Sequence, residues 1–517
     1  MIESRSVGAI DSSAASETPK CVANAGATGL DCSEEAPTGR IKRATCRCTP
    51  SAIRRWLHVG AFVAASVLLT TACNREATDG FPGIRNLILV TLDTVRADHL
   101  GCYGRPGDPS PTIDRLAREG VKFDMAISQA AATPISHASI LSGRNPQGHG
   151  LRVIHAQTGY RLPDTVPTLA TILQASDWNT AAFVSSFTVS EHFGLQRGFD
   201  VFDTGLSAAP SQLMERTSKD HWSWDVASNQ RRADATTDKA LEWLQGVQEP
   251  YFLWMHYWDP HDPHIVPPDD VMRRFPPSAG GMKQQRIAIY DSEIYFVDLQ
   301  LQRLFAALEA SGQADSTMVV LTADHGQGLG EHGWWAHRLL YQEQIQIPLI
   351  VKIPGGPTGV TVRELVRSID IFPTVLQTLG LSVPPGIDGE DLLELVGEKA
   401  RTPRHAYADA LNLYDLNSNV VRRRPNDDLL YSVIEYPWKL IYRSLRPDES
   451  ELYDLGSDPD EAVNLYASET EQADRLVEIL HELDGFVDQP FGDGVSDPEV
   501  IERLRALGYV DADEGAP

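Results

Sequence analysis

The chain has 517 residues, 42% of them hydrophobic and 22% charged, with a formal net charge of −26. This balance is ordinary for a soluble globular protein and excludes coiled-coil, collagen-like and multispan membrane classes, and the length suffices for one large α/β domain with a smaller companion. The acidic excess opposes polyphosphate partners and excludes a nucleic-acid-binding role, so an anionic substrate has to meet a locally positive pocket.

Residues 1–50 are rich in Ala, Ser, Thr and Gly without an apolar period and are expected to be disordered or a mis-assigned start. Residues 51–80 have the order of a secretory signal: Arg54 and Arg55, an apolar run from Val59 to Leu69, then small residues leading into Cys73. The run falls short of the roughly 20 apolar residues of a spanning helix. LLTTAC is similar to a lipoprotein signal, in which the residue at Cys73 is lipidated after cleavage. The expected location is outside the cytoplasm, periplasmic or anchored to a membrane through Cys73. Cys21, Cys32, Cys46, Cys48 and Cys73 all precede the globular region, and Cys102 alone lies within it, which excludes an internal disulfide framework there.

Asn86–Leu92, a continuous apolar run ending at Asp93, predicts a buried parallel strand. SPTIDRLAREG predicts a helix. Thr133-Pro134 opens ISHASILSG, with Thr at the N-cap and Pro at the first helical position, and such a helix start offers free N–H groups to a tetrahedral anion. Strands are predicted in WNTAAFV and PYFLWMHY, and a helix in RRADATTDKALEWLQGV. Residues 205–230, with Trp222 and Trp224, read as an insertion loop over a sheet edge. Met318–Ala323 predicts a second buried strand, ending at Asp324 and His325.

This alternation predicts, over 81–398, an α/β domain built on a large mixed, mostly parallel sheet sandwiched by helices, with ligands gathering at the strand C-terminal ends. Composition shifts between Glu398 and Arg404. Beyond it, NDDLLYSVIEYPWKLIYRS and ESELYDL predict antiparallel strands and EQADRLVEILHELDGFV a helix, giving a smaller C-terminal α+β domain and tail over 399–517. Asp93, Asp324 and His325 each follow a buried strand, so hard oxygen ligands and one imidazole converge at one sheet edge, which suits a divalent cation. Taken singly, each aspartate could equally cap the next helix.

The segments NLILVTLDTVRADHLGCYG, TPISHASILSGRNPQGHG, HYWDPHDPH, LTADHGQGLGEHGWWAH, and WKLIYRS with ELYDLGSDPDEAVNL resemble, in order, the landmark segments of sulfatases, of the wider alkaline phosphatase superfamily. The resemblance covers most of the chain after Phe81. It implies that Asp93 is the first metal-binding aspartate of a pair whose second position is Thr94, and that Asp324 and His325 form the second metal-binding pair. The implied cofactor is one divalent cation, Ca by resemblance, with Mn and Zn as alternatives.

Aligned through HASILSGR, the family's Cys/Ser-x-Pro-x-Arg motif falls on Thr133, Pro134, Ile135, Ser136 and His137. Threonine is not a known substrate for the oxidation that makes formylglycine, so no formylglycine is expected and Thr133 stands as an unmodified nucleophile and metal contact. His137 replaces the motif Arg, His337 falls where many sulfatases have a Lys, and His261 matches a substrate-contacting His, with His264 as a weaker candidate. Arg144 is a candidate for stabilising the transferred group or for anchoring its own loop. The reading is a metal-dependent hydrolase of a small or polymeric anionic ester, sulfate-type or phosphate-type. The alternatives are a phosphodiesterase or phosphonate monoester hydrolase, and a non-catalytic exported anion-binding protein.

Overall fold

The computed structural model describes residues 81–509 apart from 82, 157, 207–215, 219–220, 223–228, 262–265, 278–280, 398–402, 416–418, 484, 488–496 and 508. The readings made on residues 1–80, Cys73 included, and on Trp224 and His264 lie outside the described residues.

The large sheet has the order β10-β2-β9-β8-β1-β7-β3-β4. Its strands are β1 (Asn86–Leu92), β2 (Val121–Ile127), β3 (Asn179–Phe183), β4 (Val201–Asp203), β7 (Tyr251–Tyr257), β8 (Thr317–Ala323), β9 (Gln346–Lys352) and β10 (Val360–Arg367). Only β9 runs against its neighbours; every other pairing in this sheet is parallel. Every residue of β1, β7 and β8 is buried, as expected of central parallel strands covered on both faces. Within residues 205–230, β5 (Arg216–Ser218) and β6 (His221–Trp222) form a separate two-stranded ladder.

Helix Thr133–Ser142 packs with Leu169–Ala175 and Ile371–Thr378, while the 30-residue helix Met282–Ser311 packs with Pro111–Glu119 and Ala233–Leu244. His137 of the first group lies against Trp254 and His256, whereas Thr237 of the second bonds the Tyr257 hydroxyl. Successive residues of β7 point to opposite faces, so the two helix groups cover the two sides of the sheet.

A separate antiparallel sheet comprises β11 (Ala406–Ala410), β12 (Leu430–Glu435), β13 (Trp438–Arg443) and β14 (Glu451–Asp454) in that spatial order. Val433, Leu440 and Leu452 pack under helix Thr470–Glu482 through Ala473, Leu476 and Leu480. Ala406, Ala408, Ile434 and Ile441 pack instead against Leu339, Leu340 and Ile345. The chain then returns: after helix Pro498–Ala506, Leu504, Leu507 and Tyr509 join the core of the large sheet. Among the described residues, no helix is long and apolar enough to cross a membrane.

Candidate functional site

Register builds the site. Leu92 of β1 is level with Tyr257 of β7 and Ala323 of β8, so one further step along the chain places Asp93 and Asp324 side by side where the strands end. The Asp93 N–H still donates to the Tyr257 carbonyl at 2.8 Å. Thr94 then turns into the left-handed region, with φ of 56°, and its N–H donates to Asp324 Oδ1 at 3.0 Å. The His325 N–H donates to the same oxygen at 2.7 Å.

Asp93, Asp324 and His325 are fully buried, and their ligand atoms lie within 4.8 Å of one another. Asp93 Oδ1 and Asp324 Oδ2 accept no hydrogen bond. Burial pushes both carboxyls above the usual range, helped at Asp93 by the Asp324 charge and opposed at Asp324 by His137. His325 Nδ1 donates to the Gly326 carbonyl at 2.9 Å, which leaves Nε2 with its lone pair toward the cluster. Two unsatisfied hard oxygens and one oriented imidazole nitrogen fit a divalent cation.

Thr133 was expected at the N-cap, and the structure corrects this. The Ala132 carbonyl accepts the first helical bonds, from Ile135 and Ser136 at 3.1 and 3.0 Å, which makes Ala132 the cap. Thr133 is the first helical residue and its hydroxyl caps nothing. Released from that duty, Oγ1 lies 3.3 Å from His325 Nε2 and 2.9 Å from the Tyr509 hydroxyl.

His137 sits beneath the cluster, fully buried. Its Nδ1 donates to the Thr133 carbonyl at 2.7 Å, and its Nε2 lies 3.0 Å from Thr91 Oγ1. The Trp254 indole already donates to that hydroxyl, so the hydroxyl proton points to His137 Nε2. Burial lowers the His137 pKa, though Asp324 opposes this, and the ring supports the Thr133 backbone.

His261 and His337 meet at Nε2–Nε2, 3.2 Å. His337 Nδ1 donates to the Ala131 carbonyl at 3.0 Å, so its Nε2 accepts, and the shared proton rests on His261 Nε2. His261 stacks on Trp258 with centroids 3.8 Å apart. Arg144 is not brought to the site: it follows the far end of the helix that Thr133 begins, about 15 Å away at 1.5 Å per residue. Its Nη1 faces the Gly148 carbonyl at 3.5 Å, the loop-anchoring alternative.

Sequence reasoning missed three residues. His256 Nδ1 accepts from the Ser185 N–H at 3.3 Å, so its Nε2 donates to Asp93 Oδ2 at 3.2 Å; its place one residue before the end of a buried strand, level with Thr91, was the available signal. Arg338, next to His337, is buried against Asp415 and Asn412 and bears on the pKa of both His325 and His337. Tyr509 carried no local signal.

The sulfatase family profile matches residues 85–381, more than half of the chain, and the N-sulphoglucosamine sulphohydrolase C-terminal profile matches residues 330–485. The chain is 24% identical to N-acetylglucosamine-6-O-sulfatase of Bacteroides thetaiotaomicron, across 77% of this chain and 86% of that protein. It is 27% identical to a multifunctional alkaline phosphatase superfamily protein of Trinickia caryophylli, across 74% and 91%. Its fold is similar to that of a phosphonate monoester hydrolase of Agrobacterium radiobacter, with TM-score 0.63, 22% identity and coverage of 77% and 95%. A protein solved in complex with its substrate D-glucosamine-2-N,6-O-disulfate superimposes with TM-score 0.60 and 21% identity, across 84% and 100%. The mostly parallel sheet, the separate antiparallel sheet, the strand-end cluster and the profile match agree: the chain belongs to the sulfatase family of ester hydrolases.

Proposed function

We propose that this protein is a metal-dependent hydrolase of anionic esters in which unmodified Thr133 is the nucleophile. The observation that carries the reading is the Thr133 hydroxyl, released from capping and 3.3 Å from His325 Nε2, beside two buried carboxylate oxygens without hydrogen bonds. A divalent cation held by Asp93, Asp324 and His325 would supply positive charge that lowers the pKa of the Thr133 hydroxyl and neutralises an ester oxygen.

Thr133 Oγ1 gives up its proton to solvent and attacks the central atom in line, and the bond to the leaving oxygen breaks. Water then hydrolyses the Thr133 ester to free the anion and restore the hydroxyl, while His137 holds the Thr133 carbonyl and fixes where the hydroxyl points. The proton on His261 Nε2, shared with His337 Nε2, is the one available to the leaving oxygen. A formylglycine hydrate can expel sulfate by returning to the aldehyde, whereas a sulfated threonine has to be hydrolysed at sulfur. Phosphate and phosphonate esters therefore suit Thr133 better than sulfate esters, and the relatives include proteins named for sulfate and for phosphonate esters.

The test compares aryl sulfate, phosphate monoester, phosphate diester and phosphonate substrates with Ca, Mn and Zn, for wild type and Thr133→Ala. Phosphate-type turnover is expected, with Thr133→Ala losing about 10³-fold or more in kcat at unchanged metal content. Full turnover by Thr133→Ala removes the nucleophile assignment. No bound metal, and no rescue by added metal, favours an anion-binding protein without catalysis.

A further inference from the structure

Tyr509 lies 376 residues beyond Thr133 in the chain, yet their hydroxyls are 2.9 Å apart. Its ring lies nearly parallel to His261, at 22° with centroids 6.1 Å apart, and 5.4 Å from the His337 centroid. Tyr509 thus stands between the nucleophile and the histidine pair, which is the space a transferred group and its leaving oxygen have to fill. In-line attack needs the central atom about 3–3.5 Å from the attacking oxygen, the same shell that the phenol oxygen occupies.

The residue is 5% exposed, and its hydroxyl pKa is pushed up by burial and then by the charge of Asp93. Leu504 and Leu507 reach the large core, Val500 and Ile501 pack against it, and the Arg503 guanidinium lies 5.2 Å over the Phe187 ring. An aromatic side chain three residues beyond helix Pro498–Ala506 fills a site whose other walls are a carboxylate–imidazole cluster and two histidines.

We infer that Tyr509 is a residue of the active site, delivered by the C-terminal segment, which closes the pocket at Thr133 and is displaced by the anionic group of the substrate. The inference rests on the Thr133 reading above. Displacement taxes affinity, because a ligand that binds only the open form has an apparent Kd equal to its intrinsic Kd divided by the fraction of protein that is open. The hydroxyl contributes the contact with Thr133 and the ring contributes the bulk, so the two are separable.

The experiment titrates inorganic phosphate into manganese-loaded wild type, Tyr509→Phe and Tyr509→Ala by calorimetry, with thermal melting and metal content as folding controls. The same proteins are assayed on a small chromogenic phosphate diester. Tyr509→Ala is expected to bind phosphate about 10-fold tighter, with Tyr509→Phe between it and wild type, and kcat/KM is expected to rise by a similar factor. Equal or weaker phosphate affinity in Tyr509→Ala, including no detectable binding to either protein, overturns the inference. Tighter phosphate binding without turnover in any of the proteins supports the closure and removes the hydrolase reading instead.

Discussion

Glu461 and Lys439 meet at 2.6 Å with both side chains essentially fully buried, Asp409 is bonded by Arg152, and Asp370 lies between Arg367 and Arg404 at 2.8 and 2.7 Å. Asp93 and Asp324 are just as buried, yet their neighbours are imidazoles: His256 donates to Asp93, and His137 and His325 flank Asp324 at 3.7 and 3.4 Å. Burial drives the pKa of His137, His256 and His325 downward, so none of the three is a standing cation. In the first region the chain supplies its own counter-charge. At the strand edge it supplies orientation without counter-charge, an arrangement that suits a divalent cation.

The comparison breaks most visibly at Lys439. Removing one partner of a buried pair leaves the other charge uncompensated, so Lys439→Met is expected to destabilise the protein by about 3–5 kcal/mol in denaturant titration. Burial already pulls Lys439 down and pushes Glu461 up, with each opposed by its partner, so a loss below about 1 kcal/mol would mean that the pair gives no net support. Asp324→Asn has the opposite sign. Asparagine keeps the oxygen that accepts from Thr94 and His325, and it removes one of two repelling carboxylates. In chelator-treated protein the variant is expected to be more stable by about 1–3 kcal/mol, a gain that saturating manganese reverses by stabilising wild type alone. A destabilised, metal-insensitive Asp324→Asn would place the two regions in the same class.

Asp93, Asp324 and His325 were legible because each follows an unbroken apolar run, and a parallel register converts equal strand endings into neighbouring side chains. The large sheet and the separate antiparallel sheet were legible for the same kind of reason, alternation of period and composition. What failed to show was long-range or directional. His256 sits inside a strand whose apolar neighbours mask it, and His137 reads as a replaced arginine when it points inward to Thr91. Tyr509 reaches the site only after helix Pro498–Ala506 docks on the large core. His256→Ala tests the first of these: losing the donor to Asp93 is expected to weaken manganese binding by about 10–100-fold, measured by competition with a chelating dye. Unchanged affinity would show that Asp93 is held by the strand alone.

An intermediate case lies between the two regions. The Glu343 side chain is 7% exposed and faces His332, whose Nδ1 is 3.1 Å from Glu343 Oε1 and whose ring stacks on Tyr341 at 3.7 Å. Burial by itself would lower the His332 imidazole, and the Glu343 hydrogen bond and charge outweigh it, so its pKa is raised from 6.5. Raised in the folded state, the group contributes stability that is fully present below the unfolded pKa and is lost as pH rises through the folded one. His332→Gln is therefore expected to lose up to about 1 kcal/mol at about pH 5.5 and to match wild type near pH 9, in paired thermal melts. A pH-independent difference would assign His332 to stacking on Tyr341.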